Sequence, residues 1–321
     1  MGHDKLRKFA ENETFSCLLQ PEASKVLDKS GDPSEGLKLN DHPIKGHWNS
    51  VMFKKDQPIV LELGCGKGEY TIDLSKRVPG NNYIGVDIKG ARLWRGAKTA
   101  TEEGLQNVAF LRTRIEFIDA FFGPGEVSEI WLTFSDPQLK SENSRLTSPL
   151  FLERYRRFMK PGGIIHLKTD SRFLHEYSKA VALENGLTIL DSTVDLYGGR
   201  CPSCDVRSAD PTTGFAGGPP SYVAEGGHGL RGTSASVDQV GRNEADVERR
   251  DTTSEGQKAL YEVQTFYERM FLSQGYKITY LSFKIDHEGP YKHPSDFDSD
   301  YWRSIEGPRR FVHSPAASSQ R

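Results

Sequence analysis

From Pro58 onward, short apolar runs alternate with amphipathic stretches along the chain. Between the apolar runs, residues three or four positions apart share apolar character, which predicts helices. Because the runs are apolar at nearly every position, they are typical of parallel strands buried on both faces by helices. The pattern predicts an α/β fold with a doubly wound, Rossmann-like and mostly parallel sheet. The first five predicted strands span residues 59–63, 82–88, 108–112, 129–134 and 163–169.

Two regions interrupt this alternation. The segment 1–57 is polar and mixed, which predicts an N-terminal extension in the form of an arm or a small helical segment. Residues 198–256 hold 11 of the 31 glycines and almost no apolar periodicity, which predicts a disordered insertion. A helix at 259–275 and a strand at 276–285 follow it, so one domain spans 58–285 and a polar tail spans 286–321.

Composition narrows the class of protein. The formal net charge is −2, so any surface for a nucleic acid must be local. No apolar run is long enough to span a membrane and the chain start lacks an apolar secretion signal, which predicts a soluble, cytoplasmic chain without membrane contact. Cys201 and Cys204 have the spacing of a zinc-binding pair but no second pair follows, so no metal is expected.

The segment LELGCGKGEY contains a strand, a glycine loop and the start of a helix. Gly64, Gly66 and Gly68 form a G-x-G-x-G pattern that lets a ligand approach the backbone. A dinucleotide-binding fingerprint requires a further glycine where this chain has Glu69, which argues against a nicotinamide cofactor. Glu62, just before the loop, instead suggests S-adenosylmethionine, because an acid there can help to hold the ammonium group of that donor.

Two further residues follow the next strands. Asp87 ends the second strand, at the distance beyond the glycine loop where a carboxylate can accept hydrogen bonds from both ribose hydroxyls of an adenosyl group. Arg114 follows the third strand, where this fold contacts the adenine. For Arg114 a cofactor contact and a plain surface position are both open.

The fourth strand ends on Ser-Asp-Pro, which places Asp136 at the edge of a parallel sheet where ligands bind. A carboxylate beside a transferring methyl group can offset positive charge that develops on the acceptor. The alternative is a turn-forming Asp-Pro without a chemical role. Methyltransferases that act on exocyclic amines often have a second proline and an aromatic residue here, whereas this chain has Gln138 and Leu139.

Two cations, Lys140 and Arg145, follow Asp136. Lysine and arginine donate hydrogen bonds to phosphates and to the Hoogsteen edge of guanine. A solvated loop before a helix capped by Thr147 or Ser148 explains both residues equally well.

Together the motifs resemble the bacterial tRNA (guanine-N7-)-methyltransferases, across about 58–195 and 258–285. Single motifs are common to many S-adenosylmethionine-dependent methyltransferases, but the later ones in combination are specific to this family. The resemblance implies a seven-stranded sheet of order 3-2-1-4-5-7-6 with the last strand antiparallel. The matching segments are LELGCGKGEY, IGVDIKGAR, EEGLQNVAFLRTR, FSDPQLK, RLTSPLFLERY, PGGIIHLKTD and TFYE.

The resemblance also implies roles for individual residues. It implies that the enzyme methylates nitrogen 7 of a guanine in the tRNA variable loop, with Asp136 as the catalytic residue. By the resemblance, Glu62, Asp87 and Asp136 fall on donor-binding positions. The residues themselves add Gly64, Gly66, Gly68 and Arg114 as candidates for donor binding. The tRNA-binding positions are Lys140, Asp170, Thr265, Phe266, Tyr267 and Glu268.

The chain departs from the family at three places. Gln138 stands where many relatives have tryptophan, Arg114 replaces a common acid, and the insertion is longer than usual. Two alternatives therefore stay open: a non-catalytic tRNA-binding subunit with the same fold, and a methyltransferase for exocyclic amines.

Overall fold

The computed structural model describes residues 2–28, 30, 38–198 and 258–306. Within these ranges the chain forms an α/β fold around one eight-stranded sheet. The strands begin and end close to the predicted positions, and those at 59–63 and 108–112 match at both ends. They are β1 (Leu18–Leu19), β2 (Ile59–Leu63), β3 (Asn82–Asp87), β4 (Val108–Arg112), β5 (Val127–Thr133), β6 (Met159–Thr169), β7 (Ile189–Thr193) and β8 (Thr279–Lys284).

The strand order is β1-β4-β3-β2-β5-β6-β8-β7. Strands β1 to β6 pair in parallel, whereas β8 is antiparallel to both β6 and β7. Without β1 this is the expected 3-2-1-4-5-7-6 order, so the predicted topology is confirmed and the predicted count of seven strands is wrong. The extra strand has only two residues, too few for a detectable period, and Phe110 N donates to Cys17 O at 2.7 Å beside it.

Helices cover both faces of the sheet, as the sequence predicted. A π-helix spans Trp48–Phe53, and 3₁₀-helices span Ile115–Ala120 and Glu142–Ser144. None of the helices in the described ranges is long and apolar enough to cross a bilayer. The α-helices are α1 (Gly2–Asn12), α2 (Ala23–Val26), α3 (Glu69–Arg77), α4 (Gly90–Glu102), α5 (Pro149–Phe158), α6 (Arg172–Glu184), α7 (Phe266–Ser273) and α8 (Ser299–Glu306).

The single helix predicted at 259–275 is wrong, because the chain breaks there into a helical turn at 258–262 and helix α7. Thr265 is the N-cap of α7 and its side chain accepts from Glu268 N at 3.2 Å. Glu69 accepts from Phe266 N at 2.7 Å. These two acceptors satisfy backbone donors that a helix start leaves without intrahelical partners, so the break is stable.

The N-terminal segment packs on the sheet domain. Helix α1 lies against α4, and the buried Trp48 donates from Nε1 to Phe121 O at 2.8 Å. In the C-terminal segment, Phe297 makes edge contacts with Phe173 and Tyr177 of α6. The domain limits at residues 57 and 286 stay a prediction. The predicted insertion, with Cys201 and Cys204, lies outside the described residues except for Gly198.

Candidate active site

A cavity of about 1020 Å³ lies at the carboxyl ends of β2, β3, β4, β5 and β6. This is the edge at which open α/β sheets bind ligands. Most of the site residues predicted from the sequence line this cavity, although they come from segments far apart in the chain. They are Glu62, Gly64, Gly66, Asp87, Arg114, Asp136, Asp170, Thr265, Phe266 and Tyr267.

Glu62 is a buried carboxylate at the cavity floor. It accepts from Thr71 N at 2.9 Å and from Thr133 Oγ1 at 2.6 Å, and the Thr71 hydroxyl also donates to it. Burial raises the pKa of Glu62 to about 7, while the hydrogen bonds from Thr133 and Thr71 oppose that shift. The side chain is thus held in one orientation and changes charge near neutral pH.

The glycine loop and Asp87 form one hydrogen-bonded unit. Asp87 accepts from Gly66 N at 3.0 Å and from Lys89 N at 2.7 Å. Gly66 has φ +58°, and a Cβ placed there would meet no protein atom within 4 Å. The glycine therefore permits the turn and leaves space in front of the backbone for a ligand.

The loop after β5 carries Asp136, which also lines the cavity. Asp136 is exposed and accepts from Gln138 N at 2.9 Å. Phe134 and Gln138 have φ +52° and +48°, which is the left-handed region that non-glycine residues seldom adopt. Such backbone conformations persist only where surrounding structure holds them, and they cluster at functional sites.

Arg114 lies at the cavity wall and is largely exposed. Its Nε is 3.8 Å from Glu116 Oε2, and Glu116 also lines the cavity. The acid that the sequence lacks at position 114 is thus present two positions later. Whether Arg114 contacts a cofactor stays a prediction.

Three of the predicted residues do not line the cavity. Gly68 is the N-cap of α3 at φ +72°, and a Cβ there would lie 2.5 Å from the Phe110 ring. Its lack of a side chain therefore serves packing against β4. Lys140 is exposed outside the cavity, and Glu268 is fully buried beneath it.

Glu268 forms a buried ion pair with Lys168 of β6, at 2.9 Å. Lys168 Nζ also donates to the carbonyls of Leu260 at 2.8 Å and Val263 at 3.1 Å, and Tyr197 OH donates to Glu268 at 2.6 Å. Burial lowers the pKa of Lys168, and Glu268 opposes that shift. This network fixes α7 to the sheet, so that Phe266 and Tyr267 at its first turn reach the cavity.

The sequence did not identify several contributors to the site. A lysine within the apolar strand segment HLKT was a detectable signal for Lys168, because a buried lysine requires a partner. Phe134 and Phe271 line the cavity with their rings 6.0 Å apart, but both had the pattern of ordinary core residues.

Arg145 contradicts both sequence interpretations, since it is buried and stacks over the rings of Phe173 and Tyr177 at 4.7 and 4.2 Å. It therefore packs α6 instead of facing solvent or a phosphate. The predicted helix cap is Ser148, although its side chain accepts no capping hydrogen bond. No cluster of three or more histidine, cysteine or acidic side chains that could hold a metal occurs among the described residues.

The cavity has the parts that an adenosyl sulfonium donor requires. Asp87 has lone pairs beyond the two that accept from backbone N–H groups, Glu62 can oppose an ammonium group, and the glycine loop leaves open space. Asp136 lines the same cavity, and only one of its carboxylate oxygens accepts a hydrogen bond from the part of the chain that the structure describes. The arrangement can therefore hold a cationic donor and stabilise positive charge on an acceptor that enters from solvent.

Comparisons with known proteins agree with this chemistry. A family model described as "Putative methyltransferase" matches residues 56–200. The chain is 39% identical to a tRNA (guanine-N(7)-)-methyltransferase of Bacteroides fragilis, over 97% of each chain. It is 41% identical to the enzyme of that name from Christiangramia forsetii, over 88% of this chain and 98% of the relative. The relative of the same name from Porphyromonas gingivalis is 57% identical over 50% of this chain and 65% of its own.

Proposed function

The chain belongs to the tRNA (guanine-N(7)-)-methyltransferase family, and we propose that it methylates nitrogen 7 of a guanine in tRNA. The methyl group comes from S-adenosylmethionine, and the guanine lies in the variable loop. The observation that carries the proposal is the convergence of Glu62, Asp87 and Asp136 on one cavity with the exposed rings of α7. We expect the enzyme to act in the cytoplasm.

The donor, when bound, supplies an electrophilic methyl group on a sulfonium. Asp87 is suited to accept hydrogen bonds from the ribose hydroxyls, and Glu62 to oppose the ammonium group. Because the pKa of Glu62 is raised to about 7, its charge depends on pH near neutrality. Both carboxylates are already fixed by hydrogen bonds from the chain, so little reorganisation accompanies donor binding.

The acceptor nitrogen carries a free lone pair at neutral pH, so the reaction needs no general base. Positioning of acceptor and donor then supplies much of the rate. As the new N–C bond forms and the C–S bond breaks, positive charge moves from sulfur to the guanine ring. Asp136 is the residue proposed to stabilise that charge.

The aromatic rings of Phe266 and Tyr267 are partly exposed at the cavity, 44% and 38%. RNA-binding proteins commonly stack unpaired bases on such rings. We propose that these two rings receive the guanine, with Thr265 and Asp170 beside it. Glu268 acts through Lys168, by fixing the position of both rings.

The test is methylation of an unmodified tRNA transcript with methyl-labelled S-adenosylmethionine, followed by mapping of the labelled base. One guanine labelled at nitrogen 7 is the expected product. A matched transcript with 7-deazaguanine at that position should accept no label. Label on an exocyclic amine would support the alternative methyltransferase, and tRNA binding without any transfer would support the non-catalytic alternative.

A further inference from the structure

We propose that a second groove, between α1, α3, α4 and the start of α7, binds the phosphate backbone of the tRNA substrate. This basic groove has a volume of about 650 Å³ and adjoins the catalytic cavity. The inference rests on the proposed function, because it assigns the surface that the same tRNA would contact outside the cavity. Its cations are Lys8, Lys67, Lys76, Arg92, Arg95 and Arg269.

The groove is lined by more positive than negative side chains. Only two carboxylates of the described residues line it, Glu69 and Asp73, and Glu69 already accepts from Phe266 N. Lys8 and Lys76 pair with Asp4 and Glu103, each outside the lining. A chain with a formal net charge of −2 thus concentrates positive charge at one place, as expected for a local surface that binds a polyanion.

Four of these cations form no ion pair among the residues that the structure describes: Lys67, Arg92, Arg95 and Arg269. Lys67, Arg92 and Arg95 are also exposed. Arg269 donates to Gln264 O at 2.9 Å, but a carbonyl does not neutralise its charge. Cations without a carboxylate partner are available to neutralise phosphates. Phosphate contacts of this kind dominate the affinity of proteins for nucleic acids.

Helix α4 extends the positive surface along one face. Arg92, Arg95 and Lys98 are three positions apart, so they lie on the same side of the helix. The Trp94 ring beside them lies under Lys8 and Lys98 at 4.9 and 5.2 Å. The indole thereby holds cations from both α1 and α4 next to one another.

The groove is continuous with the catalytic cavity. Lys67 and Arg92 line both, and Lys67 Nζ lies 5.0 Å from the centroid of the Phe266 ring. A nucleotide held at Phe266 therefore has its neighbouring phosphates within reach of Lys67. The geometry gives the tRNA backbone a path from the cavity over α3 and α4.

The experiment uses the full chain with Arg95→Gln and Arg269→Gln combined, because neither residue lines the catalytic cavity. Equilibrium tRNA binding is measured between about 50 and 200 mM salt, with turnover at saturating tRNA and donor affinity as additional readouts. We expect the slope of log affinity against log salt to become shallower by about two. Turnover at saturating tRNA and donor affinity should stay at the parent values.

The matched control is Lys160→Gln. Lys160 is an exposed lysine without a carboxylate partner in the described part of the chain, and it lies at the amino end of β6, away from the cavity. Its salt slope should equal that of the parent. A parent-like slope in the double variant would overturn the inference.

The experiment distinguishes an error in the assignment of the groove from an error in the proposed function. If the parent does not methylate guanine but the double variant still lowers the slope, the groove binds tRNA and the proposed reaction is wrong. If the parent methylates guanine and the salt slope of tRNA binding is unchanged in the double variant, only the assignment of the groove is wrong.

Discussion

The two sides of the cavity differ in how completely the chain itself satisfies their polar groups. On the side that we propose to bind the donor, Glu62 and Asp87 are buried and accept hydrogen bonds from nearby backbone and threonine groups. On the acceptor side, Asp136 is exposed, and Phe134 and Gln138 next to it have positive φ. The donor side is thus complete in the free protein, whereas the acceptor side presents groups to a partner.

The difference matches the sizes of the two ligands. A small donor can be enclosed by residues from three neighbouring strands, whose positions the parallel sheet fixes. A tRNA cannot be enclosed, and the surface proposed to bind it consists of an exposed loop, the start of α7 and the groove beyond them. We therefore expect substitution of Glu62 to change how stability depends on pH, and substitution of exposed groups on the acceptor side to change turnover and salt dependence. Substitution of the buried pair that holds α7 should change stability.

The largest effect on stability is expected where the acceptor side is anchored, at the buried pair of Lys168 and Glu268. Lys168→Met leaves the Glu268 carboxylate buried without a cation, which should lower the free energy of unfolding by about 3–5 kcal/mol. Denaturant unfolding of the parent and the variant measures this. The double variant with Glu268→Leu should recover most of the loss, and a single variant as stable as the parent would show that the pair does not anchor α7.

A change in the free energy of unfolding that is similar in size but depends on pH is expected for Glu62→Gln. The folded protein keeps a proton on Glu62 that the unfolded chain releases between pH 4.5 and about 7. The bound proton therefore stabilises the folded protein fully below pH 4.5. This stabilisation, a total of about 3 kcal/mol, is lost as pH rises through about 7. In Glu62→Gln the amide oxygen can still accept from Thr71 N while its amino group donates to Thr133, so the fold should persist.

The measurement is the difference in free energy of unfolding between the parent and Glu62→Gln, without donor, at pH 4.5 and pH 7.5. All other titrations are common to both proteins and cancel. The parent should lose about 3 kcal/mol relative to the variant across this window. A difference that is constant with pH would contradict the raised pKa of Glu62.

The smallest effect is expected at Lys140, which is exposed beyond the cavity. If Lys140 contacts one phosphate, Lys140→Ala should make the salt slope of tRNA binding shallower by about one, with no change in donor affinity. Lys160→Ala provides the comparison, because Lys160 is an exposed lysine at the amino end of β6, away from the cavity. Equal slopes in the parent and in Lys140→Ala would show that Lys140 contacts no phosphate and lies in an ordinary solvated loop.

The meeting of Glu62, the glycine loop and Asp87 at one cavity was predictable from the sequence, whereas the buried position of Glu268 was not, for a physical reason. Glu62, the glycine loop and Asp87 lie at the ends of strands whose apolar runs are evident, so their meeting at one edge follows from a parallel sheet. The buried state of Glu268 depends on Lys168, far earlier in the chain, and on the helix break at Thr265. Pairing across such distances leaves no periodic signal, and strand β1 is too short to leave one.

In the proposed reaction, the negative charge of Asp136 accelerates methyl transfer. The most direct measurement is the single-turnover rate of Asp136→Asn at saturating tRNA and donor, with Asp136→Ala alongside. Asparagine can still accept from Gln138 N and preserve the turn, but it removes the charge. We expect both variants to lose roughly 100- to 1000-fold in rate, equivalent to about 3–4 kcal/mol, with a much smaller change in donor affinity. A near-parental rate in Asp136→Asn would contradict this expectation and leave Asp136 only the role of forming the turn.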